Sequence, residues 1–470
     1  MTNEIASELA DSDRGYIIAP AGYGKTEVIA MAVGLETEGK QLLLTHTHAG
    51  VRSLRERLKR HEISSKRFRV DTIAGWSLRL ASSYPQLSGL EASQPLEDQW
   101  SQVYPAVIKA LQHSTIQEVV AISYSGVYVD EYQDCTKSQH ELVMGLAQFL
   151  PCRVLGDPLQ GIFDFNKQDP IVDWEEDVER NFPALSELQE PWRWKENNPE
   201  LGGWLEEARA ALLNGDKIDL RKAPRDSVRW IRKEKHGQAA PRACLAAIKK
   251  EGTVCAIHKW PRPAHRLASQ LGGVFTSMEE IECRDLMSWA GVLDAAEGGE
   301  KVVELIEGAA RCWTSVSKEL RSIKDAFAKE RESRARKYPQ ILEAMRAVAA
   351  EKGGFSSVKQ ALNACTKVDG ANLYRREFWQ EMFRTIDAYE TGNYESLRDA
   401  AWHIRNQVRV VGNRLDHRIV SRTLLIKGLE FDHVIVADAD LLTDPKNLYV
   451  ALTRGSKSLT IISDQPVLHR

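Results

Sequence analysis

The sequence predicts an α/β protein of two parallel-sheet lobes, each interrupted by a mainly helical insertion. Two observations carry this prediction. Short apolar runs alternate with helix-like segments near both ends of the chain, which is typical of a parallel sheet with helices on its faces. The chain also has 470 residues, whereas a single core rarely grows beyond roughly 250–300 residues.

The first lobe is predicted from residues 1–84 and 123–195. Its apolar runs lie at 16–18, 41–45, 68–70, 126–129 and 153–155. Helices are expected from about Lys25, over 48–60 and from near Thr72. Residues 85–122 break this alternation with polar turns followed by helical periodicity, so we expect a small helical insert there.

The second lobe is predicted from residues 196–276 and 409–470. Its strand-like runs lie at 228–231, 253–257, 423–426, 433–437 and 459–462. Residues 277–408 carry charged helical patterns and form the second insertion. The signs of charge alternate over 318–337, which favours a solvated helix face and leaves open a contact with duplex or a partner.

Composition limits the classes of protein that fit. Hydrophobic residues make up 43%, charged residues 27%, and the net charge is -3, so a nucleic-acid surface would have to be local. The seven cysteines form no CxxC pair, which favours reduced thiols over disulfides or zinc. No apolar run reaches the ~18 residues of a membrane span, and residues 1–13 are acidic, unlike a signal peptide. We therefore expect a cytoplasmic protein without membrane contact.

A phosphate-binding loop follows the first apolar run. Its glycines allow a tight turn that aims backbone N–H groups at phosphate oxygens, and the following helix adds its positive end. Lys25 would reach the β- and γ-phosphates, and the Thr26 hydroxyl would bind Mg²⁺. The loop reads Ala19-Pro20-Ala21-Gly22-Tyr23-Gly24-Lys25-Thr26.

Two carboxylates follow the fourth apolar run. Asp130 and Glu131 come at its carboxyl end, where parallel sheets bind ligands. Asp130 can hold Mg²⁺ through water, and Glu131 can orient and deprotonate the attacking water. We therefore expect ATP and Mg²⁺ as cofactors.

The longer string Asp130-Glu131-Tyr132-Gln133-Asp134 resembles the DExQD motif of UvrD/Rep-like superfamily 1A helicases. Residues 155–163, reading LGDPLQGIF, and 191–194, reading PWRW, are similar to two further family motifs. The resemblance implies two RecA-like P-loop NTPase lobes. It also implies that Gln160 and Arg193 sense the γ-phosphate and that Trp192 stacks on the base.

The C-terminal part extends the resemblance. Residues 427–431, reading KGLEF, and 449–454, reading YVALTR, match family motifs. The resemblance implies that Gly428 and Glu430 lie at the nucleotide, with Glu430 on the ribose, and that Arg454 is an arginine finger. We expect the triphosphate at a seam between the lobes, touched by Lys25 from one side and Arg454 from the other.

A track for single-stranded DNA is implied by three more segments. Residues 45–49, reading THTHA, and 70–73, reading VDTI, resemble family motifs that contact the strand. By this resemblance His46 would lie against a base, Thr47 and Thr72 would contact phosphates, and Phe165 would stack between bases. Duplex junctions are a further expected partner. The two His residues lack a companion ligand cluster, so a metal site is disfavoured.

The chain departs from the family pattern at three places. No Gln precedes Ala19, Leu424 stands where the family has His, and Asn166 stands where Arg follows the stacking aromatic. The inserts are also shorter than in processive members. These departures leave adenine specificity open and favour hydrolysis over strong stand-alone unwinding.

Two hypotheses on function follow. The first is an ATP-dependent translocase or helicase moving 3′ to 5′ along single-stranded DNA, the polarity that the resemblance implies, in a setting such as DNA repair. The second is a DNA-triggered ATPase switch that regulates a partner nuclease, as the weaker similarity in size to the helicase-like subunit of Gabija-type antiviral defence systems suggests. The sequence carries no carboxylate–lysine cluster of its own for nuclease chemistry.

Overall fold

The computed structural model describes residues 2–36, 38–90, 97–163, 167–234, 237–280, 283–333, 335–351, 354–411 and 416–468, without the side chains of 97–99 and 407–411. Two parallel sheets organise it, one of five strands and one of six, and a two-stranded antiparallel pair completes the strands described. The strands are β1 (Arg14–Ile18), β2 (Gln41–Thr45), β3 (Phe68–Thr72), β4 (Gly126–Val129), β5 (Cys152–Gly156), β6 (Ile218–Asp219), β7 (Val228–Arg232), β8 (Val254–Ile257), β9 (Thr276–Ser277), β10 (Arg418–Ser421), β11 (Phe431–Val436), β12 (Gly455–Ser463) and β13 (Val467–Leu468).

Helices cover both sheets and form the insertions. They are α1 (Thr2–Asp11), α2 (Lys25–Leu35), α3 (His48–Arg60), α4 (Ile73–Ser83), α5 (Pro85–Ser88), α6 (Val103–Leu111), α7 (Ser114–Ser123), α8 (Lys137–Leu146), α9 (Trp192–Lys195), α10 (Pro199–Leu213), α11 (Ala239–Ala247), α12 (Pro261–Gln270), α13 (Arg284–Ala295), α14 (Gly298–Cys312), α15 (Val316–Glu319), α16 (Arg321–Ala328), α17 (Pro339–Ala350), α18 (Ser356–Cys365), α19 (Arg376–Glu390), α20 (Leu397–Val411) and α21 (Pro445–Leu452).

The first lobe is built on the sheet ordered β1-β5-β4-β2-β3. All its strand pairs are parallel, so their carboxyl ends share one edge. Strands β2, β4 and β5 are buried along their whole length, because helices cover both faces of the sheet. The loops after β1, β4 and β5 therefore meet at that edge, where parallel sheets bind ligands.

The second lobe is built on the parallel sheet ordered β7-β12-β11-β8-β10-β9. Strand β8 is fully buried at its centre, and α10 and α21 pack with β11 and β12 in one apolar core. These two sheets confirm the predicted fold class of two RecA-like lobes with helical insertions.

The larger insertion, α13 to α20, has its own apolar core around Trp289 and Phe378. A buried ion pair lies where the connection between β9 and α13 meets the segment before α19. The Arg375 guanidinium binds both carboxylate oxygens of Glu279, at 2.7 and 2.6 Å, and also Asp285 at 2.7 Å. Because two-point contacts of this kind fix both distance and orientation, the segment before α19 is held against the connection between β9 and α13. The domain boundaries given above stay a prediction.

One strand prediction is wrong. Residues 423–426 form turns, and the strand lies earlier, at β10. The run is apolar because Ile426 packs into the second-lobe core, and a short apolar run does not distinguish a strand from a buried turn. The sequence analysis also gave no helix to the N-terminus, yet α1 buries Ile5, Ala6 and Leu9 against α2.

Among the residues described, none of the helices is both long and apolar enough to cross a membrane.

Candidate functional site

The loop between β1 and α2 is the phosphate-loop candidate. Gly22 and Gly24 have positive φ angles of 78° and 85°, which glycine adopts without strain. A Cβ on Gly22 would also lie 2.7 Å from the Trp194 ring, so two constraints require glycine there. The N–H of Ala19 donates to Gly156 O at 2.8 Å, so this N–H is used in the contact between the ends of β1 and β5. The N–H groups of the first turn of α2 face the loop, as an anion site requires.

Lys25 and the acidic pair meet at the carboxyl ends of β1 and β4. Lys25 Nζ lies 3.3 Å from Glu131 Oε2, and the Asp130 carboxylate accepts from the Glu131 N–H at 2.9 Å. Burial and the neighbouring Glu131 charge raise the pKa of Asp130. Burial alone would also raise the pKa of Glu131, but the ammonium groups of Lys25 and Lys427 outweigh it and hold that pKa low.

Glu131 has a left-handed backbone, with φ 58°, which is uncommon for a residue with a side chain and costs on the order of 1 kcal/mol. Its carboxylate accepts from Gln133 Nε2 at 2.6 Å. The side-chain amide oxygen of Gln133 accepts in turn from the Asp157 N–H at 2.9 Å. The ends of β4 and β5 are therefore joined through one buried glutamine amide, a residue that the sequence analysis did not single out.

Gln160 lies at the contact with the second lobe. Its Nε2 donates to Asp157 Oδ2 at 2.8 Å, and its Oε1 accepts from Arg454 Nη2 at 3.2 Å. Arg454 is 2% exposed and also donates to Val450 O at 3.0 Å and Leu429 O at 3.2 Å. Burial, with Arg193 close by, lowers the pKa of Arg454 to about 10, so the guanidinium stays charged at neutral pH.

Lys427 crosses between the lobes as well. Its Nζ donates to Asp134 Oδ2 and to Gln160 O. The other Asp134 carboxylate oxygen is buried without a hydrogen-bond partner. We call the facing groups of the two lobes, Lys25, Glu131 and Gln160 on one side and Lys427, Tyr449 and Arg454 on the other, the seam. Glu131 is stabilised as an anion from both sides of this seam.

Tyr449 and Arg209 were not assigned roles from the sequence. The Tyr449 hydroxyl accepts from the Ala21 N–H of the loop at 3.2 Å. Arg209 binds Asp157 at 2.8 Å and lies 5.3 Å from the centre of the Tyr449 ring. The YVALTR string contains Tyr449, but the contact of its hydroxyl with Ala21, 428 residues away in the sequence, has no local sequence signal.

Arg193, Trp192 and Glu430 lie beside the loop. Arg193 donates to Glu430 at 2.8 Å and to Thr453 O at 2.6 Å. The Trp192 ring lies over Gly24, 3.2 Å from where a Cβ would be, and is 43% exposed. Gly428 has φ 78° in the turn between Lys427 and Glu430, which brings both to the seam.

A cavity of about 480 Å³ adjoins Tyr23 and Trp192. The start of α1 and residues 186–190 complete its walls, which carry the carboxylates of Glu4, Glu8, Glu187 and Glu190. It lies on the side of the phosphate loop where the Trp192 ring lies, and its volume is within the usual range for a small-molecule site.

Three of the residues predicted to contact DNA, His46, Thr47 and Thr72, lie at the same sheet edge. Thr47 and Thr72 cap α3 and α4, accepting from Gly50 N at 3.0 Å and Gly75 N at 2.9 Å. Their hydroxyl hydrogens remain available for another acceptor. His46 lies 3.4 Å from Cys135 Sγ, and burial together with Lys427 lowers its pKa to about 3. Phe165 and Asn166 lie outside the described residues.

Groups for a metal ion are limited to the loop and the acidic pair. No set of three or more His, Cys, Asp or Glu side chains comes together as a metal cluster in the described ranges. Asp130 is 3% exposed and accepts a hydrogen bond from the Thr26 hydroxyl. Two hard oxygen ligands beside a phosphate loop fit Mg²⁺, which keeps several waters and shares substrate oxygens.

Comparison with known proteins gives a match over part of the chain. Residues 2–166 match the AAA domain family, which agrees with the geometry above: the first lobe is a nucleotide-binding unit of the P-loop NTPase type. No relative is found among curated proteins. Among solved structures, the Arterivirus nonstructural protein 10 (helicase) in complex with DNA has 12% identity and a TM-score of 0.28, covering 55% of this chain and 50% of its own.

Proposed function

We propose that the protein is an ATP-dependent translocase or helicase that moves 3′ to 5′ along single-stranded DNA. Hydrolysis takes place at the seam and depends on the approach of the lobes. One observation carries the proposal: Glu131 contacts Lys25 of its own lobe at 3.3 Å, while Arg454 of the other lobe binds Gln160 at 3.2 Å. Two cations from different lobes thus border one carboxylate site.

The charges suit phosphoryl transfer. Lys25, Arg193, Lys427 and Arg454 surround the place where negative charge grows on the γ-phosphoryl oxygens, and preorganised cations stabilise such charge. Ionised Glu131 orients and deprotonates the attacking water. Gln160 would position that water or the γ-phosphate. Arg193 forms an ion pair with Glu430. When a nucleotide binds, the Arg193 guanidinium exchanges this carboxylate for a phosphate.

Thr26 and Asp130 would hold Mg²⁺, which supplies charge neutralisation between the β- and γ-phosphates. The Ala21-Gly22-Tyr23-Gly24 backbone would receive the phosphate oxygens. The base would enter the cavity beside Trp192 and stack on that ring. The carboxylates of the cavity and the Gln189 side chain, which also lines it, can accept hydrogen bonds from an exocyclic amino group such as that of adenine.

The nucleic-acid track follows the carboxyl ends of β2 and β3. Thr47 and Thr72 can each donate a hydroxyl hydrogen to a phosphate oxygen while capping a helix. Because its low pKa keeps His46 neutral, its ring suits contact with a base. Lys427 lies near both His46 and Glu131, so the DNA track and the hydrolytic site share one cation through which they can be coupled.

The alternative is a DNA-triggered ATPase switch that gates a partner nuclease. The net charge of -3 favours it, since the chain has no general excess of basic residues for holding DNA. In this alternative DNA stimulates hydrolysis and no strand is displaced.

The test compares ATP turnover with and without single-stranded DNA, followed by displacement on duplexes with 3′ or 5′ single-stranded tails. The proposal predicts stimulated turnover and displacement from the 3′ tail. Stimulation without displacement, together with co-purification of a nuclease, selects the switch. Turnover that DNA leaves unchanged contradicts both.

A further inference from the structure

Trp260 is an exposed aromatic residue at the ligand edge of the second sheet. It comes directly after β8, a central strand, and precedes α12. Its side chain is 53% exposed, although a tryptophan normally buries most of its large surface in a core or an interface. The carboxyl edge where it lies is where open α/β sheets bind ligands.

The backbone around Trp260 is well fixed. The His258 N–H donates to Ser421 O at 2.9 Å at the end of β10, and the Trp260 N–H donates to His258 Nδ1 at 3.2 Å. Pro261 occupies the first turn of α12 and restricts the backbone after the tryptophan. The ring is therefore presented from a rigid position, which reduces the entropy lost on binding.

One cation contacts the ring, and two more follow it closely in the sequence. Lys259 Nζ lies 5.2 Å from its centre. Arg262 and Arg266 are exposed and four residues apart on α12, so they share one helix face. No Asp or Glu occurs between Glu251 and Glu279. The carboxylate that faces His258 is Asp438, and Lys233 binds it at 2.7 Å.

We propose that Trp260 is a base-stacking platform of the second lobe, with Arg262 and Arg266 binding the adjoining phosphates of a single strand. An aromatic face bordered by cations is the combination that holds single-stranded nucleic acid. The neighbouring exposed side chains are charged, whereas the centre of a protein interface is depleted of charge. The inference rests on the proposed function and adds a contact point to it.

The platform has a mechanical consequence. The residues of the DNA track described above belong to the first lobe, and a motor that advances needs a grip on each lobe. Residues 258–260 lie beside Ser421, and the chain runs from there to Lys427 in the seam. Movement of the second lobe at the seam therefore carries the Trp260 ring with it.

The experiment measures binding of a fluorescent oligothymidylate by anisotropy. Trp260→Ala should bind about tenfold more weakly, within the range known for loss of one stacked base, and Trp260→Phe should recover most of the loss. Arg262→Ala should lower the slope of log affinity against log salt by about 0.7, the value for one phosphate contact on a single strand.

Three controls make the result specific. Ile122→Ala removes another exposed apolar side chain, 88% exposed, and should bind as the wild type does. ATP turnover without DNA should be unchanged in Trp260→Ala. On an oligonucleotide of abasic sites, wild type and Trp260→Ala should bind equally, because no base is present to stack.

Equal binding of the oligothymidylate by wild type and Trp260→Ala overturns the platform while leaving the proposed function standing. If Trp260→Ala loses the same factor of affinity for the abasic strand as for the oligothymidylate, stacking on bases is overturned as well. If the wild type itself binds no single-stranded DNA, the proposed function fails, and the platform fails with it.

Discussion

Glu131 combines two unusual features at one residue. Its backbone is left-handed, and its partly buried carboxylate stays ionised because Lys25 and Lys427 lie nearby. A positive φ at a glutamate is retained only where the surroundings enforce it, and such positions cluster at functional sites. Here the Asp130 carboxylate accepts a hydrogen bond from the Glu131 N–H. The carboxylate of Asp130 is thus oriented separately from that of Glu131, as their different proposed roles require.

Replacement of the base separates binding from hydrolysis. We expect Glu131→Gln to lower kcat by roughly 10²–10⁴-fold, the usual contribution of a general base, while ATP still binds. Turnover and binding of a fluorescent ATP analogue are measured on the same preparation. Lys25→Ala is the matched comparison, since it should lose both hydrolysis and tight triphosphate binding. Wild-type turnover in Glu131→Gln would remove Glu131 from the role of base.

At the scale of elements, the strand ends decide the site. The order β1-β5-β4-β2-β3 brings residues after β1, β4 and β5 together although they are far apart in sequence. The motifs made Lys25, Asp130 and Glu131 predictable, because Lys25 ends the loop after β1 and the acidic pair follows β4 directly. Gln133 and Asp157 were not predictable, since their hydrogen bond depends on the order of strands in the folded sheet.

The errors in secondary structure have similar causes. Strand β10 contains only four residues and follows charged residues. So short a run shows no clear alternation of apolar and polar residues, and the strand was not predicted. The apolar residues 423–426 were instead predicted as a strand. The N-terminal α1 has three buried apolar residues, and its helix is stabilised by packing on α2 rather than by propensity, as short helices are.

Helix α12 provides a pH-dependent element. The His265 Nδ1 atom shares a hydrogen bond of 2.7 Å with the Ser277 hydroxyl. Burial, together with the nearby charge of Arg375, lowers the pKa of His265 from 6.5 to about 4. The unfolded chain therefore binds one more proton than the folded one between these values. The stability that neutral His265 contributes is present above pH 6.5 and is lost as pH falls towards 4.

We expect His265→Gln to make the acid dependence of stability shallower. The wild type should lose about 2 kcal/mol more than this variant between pH 6.5 and 5, at 1.36 kcal/mol per unit. Denaturant midpoints at both pH values give the difference, and the exposed His113→Gln should keep the wild-type dependence. Identical pH dependence in His265→Gln and the wild type would show that His265 is not held neutral by the fold.

At the scale of the whole molecule, the two lobes meet through charged groups that no local pattern connects. Lys427 and Asp134 are 293 residues apart, and Arg454 and Gln160 are 294 apart. Each motif could be found in the sequence, but the partner of each across the seam could not.

The account as a whole depends on Arg454 acting in hydrolysis from the opposite lobe. The decisive measurement is single-turnover hydrolysis of bound ATP by Arg454→Lys, which keeps the charge but loses the guanidinium geometry, with its unfolding midpoint checked against the wild type. We expect ATP binding within a few-fold of the wild type and hydrolysis slower by about 10³-fold, the lower range for an arginine finger. Hydrolysis at the wild-type rate in a folded variant would contradict the role of Arg454 at the seam.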